Sequence, residues 1–123
     1  MLDRPWLKSY PKGIHWDADL TPVPVDQILD DAVAKWPLLP AVSFMGRTLT
    51  YRELAALVDR ATTGLQKLGV KPGIHVGLYL PNTPHYVISF FAILKAGGTV
   101  VNYSPLDAGK FSSTRSKTAK PIL

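Results

Sequence analysis

Three histidines, one adjacent pair of carboxylates, one pair of glycines and one strand-end serine are the residues whose types could do chemistry in this chain. Imidazoles bind metals or move protons near neutral pH, but a metal site needs several ligands at short spacing. His15, His75 and His85 lack that spacing: His75 opens a strand-like run and His85 lies in the first turn of a helix. Adjacent carboxylates can share acid–base work, yet Asp30 and Asp31 fall on the polar side of a helical stripe and read as a solvated face. A glycine pair cradles phosphate when it lies between a strand and a helix start, where backbone amides converge on the anion. Gly97-Gly98 follows a helix and precedes a strand, so it reads as a helix stop. Ser104 precedes Pro105 at a strand end, the edge where parallel sheets meet ligands, but no nucleophile-elbow glycines flank it. Tyr86, Phe90, Phe91 and Leu94 share one helical face and read as core. No self-sufficient catalytic constellation emerges, and no catalytic, cofactor-binding or metal residue is assigned.

The elements that would position such groups are clearest over residues 75–106. His75 to Leu80 is a short apolar strand stopped by Pro81-Asn82. Thr83 suits a helix N-cap and Pro84 the first turn, where a missing N–H costs nothing. After the glycine pair, Thr99 to Tyr103 is a β-branched run. Strand, helix and strand in close succession make a βαβ unit, which implies parallel strands. Upstream, Val25, Ile28, Leu29, Ala32, Val33 and Trp36 share one helical face between Pro24 and Pro37. Ala41 to Met45 and Thr48 to Thr50 read as a hairpin turning at Gly46-Arg47. Thr50 and Glu53 have capping-box spacing and open a second helix. Its buried stripe is Leu54, Leu57, Val58, Ala61, Leu65 and Leu68, and Gly69 closes it. The fold class is therefore α/β: helix, β-hairpin, helix and βαβ, a truncated part of a larger mixed sheet.

At 123 residues the chain has room for one domain with a modest core. No run approaches the roughly 20 apolar residues of a membrane span, and the opening Met-Leu-Asp-Arg-Pro-Trp has no apolar signal core. The absence of cysteine removes disulfides and thiolate metal sites, which fits a cytoplasmic protein. The net charge of +5 is local: Lys110, Arg115, Lys117 and Lys120 follow residue 108 with no acid among them. The preceding body holds ten basic and nine acidic residues of the 14 and 9 in the chain, so its charge gives no reason to expect nucleic acid.

Three stretches resemble one family. They are Pro81-Asn82-Thr83-Pro84 with F-F-A-I-L-K-A-G-G-T-V-V-N-Y-S-P-L from Phe90 to Leu106; A-V-S-F-M-G-R-T-L-T-Y-R from Ala41 to Arg52; and R-P-W-L-K-S-Y-P-K-G from Arg4 to Gly13. Together they are similar to the N-terminal portion of the AMP-forming acyl-CoA synthetases, the adenylate-forming ligases typified by bacterial long-chain fatty-acid–CoA ligase. The resemblance implies the large domain of those enzymes and the reaction of ATP, fatty acid and CoA to acyl-CoA, AMP and pyrophosphate through an acyl-adenylate. It implies ATP, Mg2+ and CoA as cofactors of the parent family and a cytoplasmic location peripheral to the inner membrane face; a full-length ligase is the partner with which a non-catalytic interaction module would associate. The family's phosphate loop, its adenylate motifs and its C-terminal lysine match nothing in this sequence. The chain alone is therefore expected to be inactive, needing no cofactor. A non-catalytic interaction or scaffold module that retains the N-terminal fold is the alternative.

The chain divides into an arm at 1–23, an incomplete AMP-binding domain at 24–108 and a basic tail at 109–123. The arm carries Pro5, Pro11 and Pro22 with Trp6, Tyr10 and Trp16, which suits an extended segment laid on a neighbouring surface or a loosely ordered terminus. The tail shows neither helical nor strand periodicity. Reading the codons of residues 109–122 one base earlier permits R-E-V-L-Q-H-K-I-E-D-S-E-T-D, which resembles the family's amphipathic continuation. A frameshift near codon 107 accounts for this. A genuine basic tail binding nucleic acid or acidic lipid is the rival.

Overall fold

A computed structural model describes residues 3–106 and the backbone of residues 120–121. In order these form a 3-10 turn (Pro5–Ser9), α1 (Gln27–Lys35), β1 (Pro40–Phe44), β2 (Arg47–Thr50), α2 (Tyr51–Lys67), β3 (His75–Tyr79), α3 (Pro84–Lys95), β4 (Thr99–Tyr103) and β5 (Lys120–Pro121). The strands β3 and β4 pair in parallel from His75 opposite Thr99 to Tyr79 opposite Tyr103, with α3 as their crossover. On the other side of β3, β5 pairs in parallel through Val76 and Gly77, giving the order β4-β3-β5. That short strand lies in a tail whose sequence shows no strand periodicity. The remaining tail residues, on which the frameshift reading rests, lie outside the described residues.

The hairpin forms its own two-stranded antiparallel sheet. Its turn is Met45-Gly46, one residue earlier than expected, because Arg47 pairs with Phe44 and belongs to β2. Met45 (φ 48°) and Gly46 (φ 77°) both take the left-handed conformation that tight two-residue hairpins require.

Helix α2 opens with the expected capping box. Thr50 N–H donates to Glu53 Oε2 at 2.8 Å, and Glu53 N–H donates to Thr50 Oγ1 at 3.3 Å. These bonds hold the Glu53 carboxyl below its ordinary pKa, the Thr50 backbone N–H being the largest cause. Leu54, Val58 and Leu65 of this helix are buried. Leu68 is not: it is 75% exposed, at the rim of an apolar cleft that no described element covers. Helix α1 starts later than expected, at Gln27, after a turn in which Gln27 N–H donates to Pro24 O. Leu29 is buried and Val33 half-buried, but Val25, Ile28 and Trp36 stay exposed, because this short helix packs on α2 and its stripe overruns the contact.

Helices α2 and α3 pack together, and α3 packs on β3 and β4. Leu78, Ile93, Val58 and Val76 are the largest fully buried side chains, so the core sits between these three elements. Burying each is worth about 1.5–3 kcal/mol. Lys95, near the end of α3, ties the helices from outside. Its Nζ lies 2.8 Å from Asp30 of α1 and 3.2 Å from Asp59 of α2. The bond to Asp30 is the main cause of a Lys95 pKa above its usual value, opposed by partial burial. Asp30 is therefore the anchor of a three-helix clasp rather than merely part of a solvated face.

Candidate functional site

The carboxyl edge of β3 and β4 is where an open parallel sheet meets a ligand. The chain leaves β3 through Leu80-Pro81-Asn82 and leaves β4 through Ser104-Pro105. Hydrogen bonds among the described residues shape the edge. Tyr86 Oη, in the first turn of α3, donates to Asn102 Oδ1 on β4. Tyr79 Oη donates to Pro105 O at 3.4 Å, and Leu106 N–H donates to Ser104 Oγ at 3.2 Å. Beside the edge, an open groove of about 310 Å3 runs between Val42, Ser43 and Phe44 of β1 and Asn82, Thr83, Pro84, Tyr86 and Val87. Thr83 has the extended backbone of an N-cap, but its side chain makes no capping hydrogen bond. The sequence expectation of a cap thus holds for the backbone alone.

Among the described residues, the hydrogen bonds of this edge bring no reactive pair together. No carboxylate, histidine or lysine joins these hydrogen bonds, and Ser104 Oγ serves the turn to Leu106 rather than a general base. His75 is exposed at the opposite, amino end of β3, and His85 is exposed in the first turn of α3. His15 lies in the exposed arm. Among the described residues no cluster of three His, Cys, Asp or Glu side chains is placed to hold a metal ion. Asn102 and Tyr86 were missed as a pair by sequence reasoning. Asn102 is exposed on β4, so no rule of burial demanded a partner for it, and the pairing appears only once α3 is docked on the strand.

The glycine pair confirms the helix-stop reading and adds a packing role. Gly97 N–H donates to Leu94 O at 3.0 Å and Gly98 N–H to Ile93 O at 2.9 Å, the double bond pattern of a Schellman cap. Gly97 has φ 90°. Both amides are consumed by the helix end and lie at the amino end of β4, so these residues do not fit an ATP phosphate.

A family model described as "AMP-binding enzyme" matches residues 29–114. The chain belongs to this family. Among curated relatives, the long-chain-fatty-acid–CoA ligase of Bacillus subtilis is 37% identical over 103 residues, covering 84% of this chain and 18% of the relative. The salicyl-AMP ligase / salicyl-S-ArCP synthetase of Mycobacterium tuberculosis is 35% identical, covering 76% of this chain and 18% of the relative. Among solved structures, the N-terminal subdomain of Klebsiella oxytoca NpsA superposes with a TM-score of 0.63 at 29% identity, over 65% of this chain and 21% of that one. Mycobacterium smegmatis MbtA gives 0.62 at 39% identity, over 65% of this chain and 15% of that one. The α/β fold read from the sequence matches part of the N-terminal subdomain of adenylate-forming enzymes. The chain spans about a fifth of the length of the curated relatives it matches.

Proposed function

We propose that this chain is a portion of a long-chain fatty-acid–CoA ligase and that, alone, it catalyses neither acyl-adenylate formation nor thioester formation. The identity to the Bacillus subtilis ligase across 84% of the chain supports the long-chain assignment. The lack of catalysis rests on the sequence, which contains no phosphate loop, no adenylate motif and no counterpart of the C-terminal lysine. At the carboxyl edge the contribution of this chain is scaffolding: Tyr86 and Asn102 tie α3 to the end of β4. ATP, Mg2+, fatty acid and CoA are ligands of the whole enzyme in this reading. The protein acts in the cytoplasm, with access to the inner membrane face. The divisions at 23 and 108 follow from the same reading, as does the frameshifted origin of residues 109–123.

The test is pyrophosphate release by the purified chain with ATP, Mg2+, oleate and CoA. No release above the protein-free control is expected, and turnover that scales with protein would overturn the proposal. Resequencing the gene across codons 100–130 tests the frameshift. One base change should restore a long frame carrying the phosphate loop; an intact frame ending at Leu123 would favour the scaffold alternative.

A further inference from the structure

We draw no further inference here: the strongest candidate, the apolar cleft between α2, β3 and α3 that Leu65, Leu68, Val76 and Ile93 line, carries nothing because nothing in the structure shows what covers it.

Discussion

Replacing Gly98 by alanine should destabilise the chain, whereas the same change at Gly64 should stabilise it. A Cβ added to Gly98 would lie 2.8 Å from Val70 Cγ1 and 3.1 Å from Ile93 Cγ2, with Ile74 O at 3.4 Å. Val70 and Ile93 are both buried and cannot swing into solvent, so β4 or the 70–74 segment has to shift. Overpacking of this kind costs about 1–3 kcal/mol. At Gly97 the φ of +90° adds backbone strain, and the new Cβ would meet Pro72 Cδ at 2.9 Å. Left-handed strain of about 1–2 kcal/mol then adds to the clash. Gly64 lies within α2 with nothing within 4 Å of its added Cβ. Alanine there gains about 0.5–1 kcal/mol from lost unfolded-state freedom. Urea unfolding followed by helical circular dichroism resolves these differences, since 1 kcal/mol moves the midpoint by roughly 0.3–1 M. A neutral or stabilising Gly98→Ala would refute the close packing of the α3 terminus on Val70.

Four further changes test the scaffold. Lys95→Met removes both clasp bonds; the carboxylates are half-exposed or more, so about 0.2–1 kcal/mol per pair is expected at neutral pH. Because the folded-state pKa of Lys95 is raised, its contribution is complete below the usual value of 10.5 and lost as pH rises through the folded value, so the two proteins should converge in alkaline urea titrations. Thr50→Ala should cost about 1 kcal/mol by removing the cap of α2. The Glu53 carboxylate bonds chiefly to the Thr50 backbone N–H, which Thr50→Ala keeps. Because its folded pKa is lowered, its share of the box is present above 4.5 and lost as pH falls through the folded value, so the effect of Glu53→Ala should shrink in acid. Tyr86→Phe removes the bond to Asn102, and thermal melting should show a loss of about 0.5–1.5 kcal/mol.

Local signals carried most of the fold. The Thr50–Glu53 cap, the Thr99–Tyr103 strand and the parallel pairing each depend on a few neighbouring residues, and each stands in the structure as read. What was hidden depends on distant partners. Periodicity places Leu68 on the apolar face of α2 but does not say which element covers it, and none of the described ones does. The Lys95 clasp joins residues 30, 59 and 95 through tertiary packing, which no helical spacing announces. Gly98 reads as a helix stop because its neighbour is one; its need for close approach to Val70 appears only when β4 is docked. The arm was equally illegible, since aromatics spaced among prolines fit packing on the body as well as exposure.

The central claim, that this AMP-binding family chain holds none of the adenylate site itself, is tested most directly by titrating the purified, folded chain with Mg2+-ATP in a calorimeter. No saturable heat is expected at any concentration of nucleotide used. Saturable binding of one ATP per chain, lost on adding competing AMP, would contradict the claim and place a nucleotide site in this chain.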